Sequence, residues 1–248
     1  MLPSVTARRR AELVALPTLV PDLPTLFTFM RDAELRFTTL RMKLEERTYG
    51  ALGEQVQLVD VMFEHPGLAR VTTSQPDLGL RGNYEIWVSD GTTVRTYSGV
   101  HKLGTERPVR RPLAGLDNED LPAFARVYRA VTPLPMETLP DTFVHPAGFL
   151  QNVVATGPTR ISASAVHLGR EAIVVEVDHP RVTEVSTDRP DYRVEMTVDR
   201  ETGAILRLVE TVGGEVTRDA LVTTFEPDAP LPPNAFAFTF PSDATILF

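Results

Sequence analysis

Between Tyr192 and Glu210 the chain reads YRVEMTVDRETGAILRLVE, with apolar and polar residues alternating on either side of a polar turn. Strand side chains point to opposite faces with a period of two. Val194, Met196 and Val198 therefore share one face, and Arg193, Glu195 and Thr197 the other. Asp199 to Gly203 makes the turn, with Gly203 able to take the positive φ that short hairpin loops need. The chain returns with Ala204, Leu206 and Leu208 on one face and Ile205, Arg207 and Val209 on the other, so both faces carry apolar surface. The same period predicts strands at 39–49, 55–64, 68–74, 83–89, 93–97, 159–167, 171–178, 192–199, 204–211 and 216–225, separated by Gly-, Pro- and Asp-rich turns. A chain dominated by this pattern folds as a large antiparallel sheet, and its apolar face has to be covered.

The cover is predicted from two places. After a Pro-punctuated lead-in over 1–21, a helix over 22–37 starts at Asp22, a good N-cap, with Pro24 in the first turn. Leu23, Leu26, Phe27, Met30 and Phe37 recur on it at helical spacing. The region 98–158 is Pro-rich and poor in alternation, with a short helix expected around 117–128 and only loop and short helix in PLPMETLPDTFVHPAGFLQN. Near the end, Phe236, Phe238 and Phe240 alternate, which predicts a last strand with Phe238 among the most buried residues. With no repeat and no clear linker, the 248 residues read as one domain: a curved antiparallel sheet, mainly β with α, forming an unclosed β-barrel under a helical lid, the insertion at 98–158.

Composition removes several function classes. The net charge of -8 argues against a nucleic-acid partner, whose footprint needs clustered Lys and Arg. The one dense basic run, Arg107 to Arg111, is broken by Pro108 and reads as a solvated loop. There is no cysteine, which excludes disulfides, Cys-ligated metal, a thiol nucleophile and an acylated Cys anchor. No window nears the ~18 uninterrupted apolar residues of a transmembrane helix. Arg8 to Arg10 are followed by AELVALPTLVPDLP, which Glu12, Pro17 and Pro21 break up too soon for a secretory signal. A cytoplasmic location is expected from the chain as written, and an extracytoplasmic one if the true start lies upstream of Met1.

Four stretches in order, HPGLARVTTSQP at 65–76, YEIWVSDGTTVRTY at 84–97, VDRETGAILRLVE at 198–210 and NAFAFTFPSDATI at 234–246, resemble the LolA-like superfamily. That group takes in the periplasmic lipoprotein carrier LolA, LolB, mycobacterial lipid-binding lipoproteins and the amino-terminal domain of the sigma-factor regulator RseB. The resemblance implies an unclosed β-barrel with a helical lid, holding an acyl chain or other apolar ligand in its hollow. LolA carries a lid-controlling arginine just before the proline of the segment matched by HPGL. Here that position is His65, and lid control is the role the resemblance implies for it.

No residue set announces chemistry. His65, His145 and His179 are each followed by proline, which marks turns and strand ends, and the histidines show no metal-ligand spacing. There is no nucleophile elbow, phosphate loop or dinucleotide fingerprint, and Asp188 and Asp191 flank a turn. The reading is therefore a non-enzymatic binder of a lipid or lipoprotein acyl chain, of carrier or chaperone type, with no cofactor and no metal. Alternation places Met42, Leu44, Val61, Phe63, Ile86, Val88, Met196 and Leu206 on the ligand-facing side, with Phe27 and Met30 from the helix covering it. The second reading is an RseB-like sensor or regulator that binds a protein partner. The third is a hydrolase without a recognisable motif.

Overall fold

The structure is a computed structural model that describes residues 13–16, 20–51, 53–76, 83–109, 130–136, 138–180 and 191–247. The expected helix around 117–128 and the lead-in before residue 13 lie outside these residues. Among the described residues, twelve strands form one sheet: β1 (Thr39–Gly50), β2 (Gly53–Glu64), β3 (Leu68–Ser74), β4 (Tyr84–Asp90), β5 (Thr93–Ser98), β6 (Leu103–Pro108), β7 (Thr159–His167), β8 (Arg170–Asp178), β9 (Tyr192–Asp199), β10 (Ile205–Val212), β11 (Glu215–Pro227) and β12 (Thr245–Leu247). Their order is β12-β6-β5-β4-β3-β2-β1-β11-β10-β9-β8-β7, so the sheet has two edges and does not close. All pairings are antiparallel except that of β12 with β6.

Side-chain rows fix the two faces. Met42 pairs with Val61 and Val61 with Val71, while Leu44 pairs with Val222. Leu208 pairs with Ala220 and Met196, and Met196 with Val175. These residues belong to one buried cluster, on the face that meets the helices. A bulge between Ile205 and Arg207 lets both Ile205 and Leu206 be fully buried. The β7–β11 half is curled until its edge reaches back: His167 Nε2 lies 2.7 Å from the Val222 carbonyl oxygen, and the Arg170 guanidinium sits 5.3 Å from the Phe225 ring centre. A flat sheet would hold β7 and β11 four strand spacings apart, roughly 19 Å.

The concave side is filled by helices. Helix α1 (Leu23–Arg31) begins where the sequence places it, with Asp22 Oδ1 accepting the Thr25 N–H at 2.8 Å, and buries Leu26, Phe29 and Met30. It ends at Asp32 rather than at residue 37, and a 3₁₀ turn over Ala33–Arg36 follows. The tip of the 192–210 hairpin docks on this helix. Gly203 has φ +82, and a Cβ there would stand 3.0 Å from Phe29 ring carbons and 3.1 Å from Met30 Cα, so glycine is required on two counts. The described part of the insertion, 130–136 and 138–156, supplies α2 (Leu139–Val144), α3 (Ala147–Asn152) and a 3₁₀ turn over Val154–Thr156. Leu134, Leu139, Phe143, Val144, Leu150 and Val154 pack into the same cluster as the sheet's inner face. No helix among the described residues is long and apolar enough to cross a membrane.

Two expectations need correction. Ile86 and Val88 do not face the hollow. Val71 pairs with Trp87, so Trp87 is the β4 residue on the inner face; Ile86 pairs with Thr72 and Tyr97, and Val88 with Arg70 and Arg95, all on the outer face. Alternation alone could not tell the faces apart because the outer face is covered as well. Its cover is the carboxyl-terminal segment, and that is the second correction. Phe236, Phe238 and Phe240 form no strand and are partly buried. Phe238 and Phe240 lie 6.2 and 6.4 Å from the Tyr97 ring and 5.2 Å from each other. One side of the aromatic cluster meets the sheet and the other meets water. The last strand is instead β12, which follows Pro241 and extends the β6 edge.

Candidate functional site

Of the residues proposed from sequence to line a hollow, Met30, Met42, Leu44, Val61, Phe63, Met196 and Leu206 are fully buried in one cluster, with Phe27 packed against it and half-covered. The hollow is apolar throughout and is occupied by side chains of α1 and of the lid helices, Phe143 and Val144 foremost. Strands β1, β2, β9 and β10 supply the wall. Met42 and Met196 give that wall, and Met30 the helix that covers it, adaptable thioether side chains, which repack more readily than branched ones.

Where the lid meets the rim of this hollow, the structure holds a polar cluster inside apolar surroundings. Glu34, on the 3₁₀ turn, is 3% exposed. Its carboxylate accepts the Val131 N–H on both oxygens, at 3.0 and 2.9 Å. His145, between α2 and α3, places Nε2 3.2 Å from Glu34 Oε2, close enough for an ion pair although its N–H is not well aligned on that oxygen. Its Nδ1 lies 2.8 Å from Asp141 Oδ1, one helical turn earlier.

Burial opposes charge on the imidazole, yet the carboxylates of Asp141 and Glu34 on its two nitrogens outweigh that and raise its pKa to about 9. Burial likewise pushes the Glu34 carboxyl up, and His145 and the Val131 N–H more than reverse it, leaving it below its ordinary value. At neutral pH both groups are charged. Both ring nitrogens of His145 face carboxylates, so the ring offers no lone pair to a metal.

His65 sits beside this cluster, just before a cis bond to Pro66. Its Nε2 lies 2.9 Å from the Glu34 backbone carbonyl oxygen and its Nδ1 2.6 Å from Thr132 Oγ1, in the lid. Thr132 also accepts the Gly67 N–H at 2.8 Å. The ring stacks on Phe37 and tilts against Phe63, with centroids 6.3 and 5.0 Å away. A neutral ring with the proton on Nε2 satisfies every one of these groups: Nε2 donates to the carbonyl, and the threonine hydroxyl donates to Nδ1. A hydroxyl 2.6 Å from an imidazole is also the contact that a nucleophile and its base make. Thr132 is fully buried and its oxygen is committed to His65 and Gly67, so the pair is a clasp between the β2–β3 turn and the lid.

His65, which the sequence singles out, touches this cluster, whereas His145 and Glu34 are not among the residues the sequence proposes. His145 looks like any His-Pro turn in the sequence. Glu34 carried a signal that could have been used: it falls four residues after Met30 and three before Phe37, on the apolar stripe, where a carboxylate needs a cation. The remaining histidines do not join the site; His101 and His179 are exposed, and His167 serves the β7 contact described above.

No family model matches the chain, and no curated protein matches it in sequence. Solved structures are similar to it in shape. An uncharacterized conserved protein from Thermus thermophilus is 13% identical, covers 91% of this chain and 99% of its own, and has a TM-score of 0.50. A chain of the Pseudomonas aeruginosa MucA/MucB complex is 16% identical with a TM-score of 0.49; the match covers 90% of this chain and 62% of that one. A LolA superfamily protein from Nitrosomonas europaea is 10% identical with a TM-score of 0.35, over 88% and 99%. At 13% identity the Thermus thermophilus match is a likeness of fold alone. The fold that the Thermus thermophilus structure shares with this chain is an unclosed sheet with its helical cover set into the concave face.

Proposed function

We propose that the chain binds a hydrophobic ligand, an acyl chain or a molecule of similar shape, in the hollow between the inner face of the sheet and the lid. The observation that carries the reading is the division of the core. The wall of the hollow belongs to strands held by backbone ladders, whereas its filling belongs to short helices that, among the described residues, share no backbone ladder with that wall. An apolar tail can take the places of Phe143, Val144 and Leu150 without breaking a single strand pairing. A twelve-methylene tail would gain ~10 kcal/mol from burial, before the cost of displacing the lid. In this reading Phe27, Met30, Met42, Leu44, Val61, Phe63, Met196 and Leu206 line the bound ligand, and His65 and the Glu34 cluster hold the lid. The activity is carriage rather than catalysis, and the resemblance to LolA suggests that it is exercised outside the cytoplasm.

The test is native mass spectrometry of the purified chain for a co-purified lipid, followed by titration with a fluorescent fatty acid. Micromolar or tighter binding is expected, and Met196→Arg, which sets an unpaired charge in the hollow, should weaken it at least about tenfold. A folded Met196→Arg variant that binds as well as the parent would overturn the reading. A protein partner is the second reading, and the open sheet edges favour it. Among the described residues strand β7 borders no further strand, and Val166 on it is 72% exposed, so an extended segment of another chain could add to that edge. A co-purified polypeptide in the same spectra, with no lipid, would favour that reading.

A further inference from the structure

We infer that Glu34, His145 and Asp141 form a releasable latch, a polar seam that lets the lid lift from the hollow while the sheet stays intact. The inference rests on the reading of 130–156 as a lid. Its first ground is placement. Glu34 lies on the 3₁₀ turn after α1, and its contacts run to the lid at two points twelve or more residues apart, Val131 and His145. His145 and Asp141 are both lid residues, and none of the three is on a strand. The neighbouring clasp of His65 on Thr132 joins the lid to the β2–β3 turn, again outside the ladders.

The second ground is the chemistry of the seam. Elsewhere the lid adheres through Leu139, Phe143, Val144, Leu150 and Val154, and lifting those exposes apolar surface with no compensation. A buried carboxylate and imidazolium behave differently, because each regains its hydration when the seam opens. A buried ion pair is for that reason weak as an adhesive against an apolar pair of the same size, while its geometry still selects a single closed register. A lid that must open and then reclose in one place is well served by such a pair at its rim.

Hydrogen exchange read by mass spectrometry on the full chain, without ligand and at one pH, tests this. Glu34→Gln keeps an oxygen for the Val131 N–H and leaves the imidazolium short of one carboxylate. It should speed exchange at 139–152 by about tenfold or more and leave β8–β11 at the parent rate. The double variant Glu34→Gln/His145→Leu, which buries no charge, should bring lid exchange back to the parent rate or below it. Asp141→Asn, on a partly exposed carboxylate, should give a smaller acceleration confined to the same segment, and it serves if Glu34→Gln does not fold. Equal acceleration of lid and strands would overturn the latch, since the cluster would then support the whole fold. Unchanged lid exchange, or a double variant more labile than the single, would overturn it as well. Because no ligand is present, a chain that binds no fatty acid yet shows selective lid exchange loses the proposed function and keeps the latch.

Discussion

Phe63 and Phe143 are both fully buried in the same cluster, one on strand β2 and the other on lid helix α2. Truncating either to alanine removes the same ring, and equal burial alone would give each a cost of ~3–5 kcal/mol. A separable lid breaks that equality. If the lid-open form holds around 1% of the molecules, it lies only about 3 kcal/mol above the closed one. A lesion inside the lid then cannot cost more than that in global stability, because beyond it the chain simply opens the lid and keeps its sheet. Phe63→Ala should therefore move the urea midpoint by the equivalent of its full ~3–5 kcal/mol, with m unchanged. Phe143→Ala should be capped at about 3 kcal/mol and should lower m, since the opened lid already exposes surface before unfolding. The same variant should bind an apolar dye more strongly than the parent. Equal midpoint shifts with an unchanged m in both variants would refute the separate lid and the ligand reading built on it.

Titration gives a second expectation. The His145 pKa is raised in the folded chain, so its contribution is fully present below about 6.5 and is lost as pH rises through about 9. The Glu34 pKa is lowered, so its contribution is present above its ordinary value near 4.5 and is lost as pH falls below it. Lid exchange, corrected for the intrinsic rate, should be slowest between about pH 4.5 and 6.5, and His145→Leu should remove the alkaline rise. Gly203→Ala meets both a positive φ and the Met30 backbone, and should cost about 2–3 kcal/mol in urea midpoint, against the few tenths expected at an open glycine such as Gly50. Removal of residues 234–248 should leave a cooperative melt with stability lower by about 3 kcal/mol and more dye bound, because the tail supplies only the edge strand β12 and an aromatic cover on the outer face at Tyr97; a chain that no longer melts cooperatively would show that the tail belongs to the core.

The strands were legible because period-two alternation acts locally and in series: β3, β7 and β9 occupy the very residues expected of them, and most others differ by one or two at the ends. What alternation cannot carry is a choice between two covered faces. In YEIWVSD both parities hold large apolar residues, and the inner one became clear only when Val71 was found opposite Trp87. Strand β6 was missed because LGTERP offers neither alternation nor β-branched residues beyond Thr105 and is ordered by its place between β5 and β12. The phenylalanines near the end had the right spacing for a strand. Pro232, Pro233 and Pro241 around them remove ladder donors, and the segment lies across the outer face instead.

The rim of the hollow was legible in one half and hidden in the other, for a physical reason. Glu34 interrupts an apolar helical stripe, and a carboxylate there has only two stable outcomes: it turns to solvent, or it is met by a positive group from elsewhere in the chain. The first is closed to Glu34, because the stripe residues on either side of it, Met30 and Phe37, face the sheet. The partner therefore had to come from a distant segment. Arg and Lys are the default candidates, yet the described part of the insertion that covers this face holds neither, and His145 is the cation it supplies. An imidazole can meet a carboxylate on each side of its ring, which a lysine cannot do with the same planarity, and this lets one residue join Glu34 to Asp141 and so to the helix that carries Phe143. The position of the seam thus follows from a single misplaced charge in the sequence, whereas the identity of its partner required the fold.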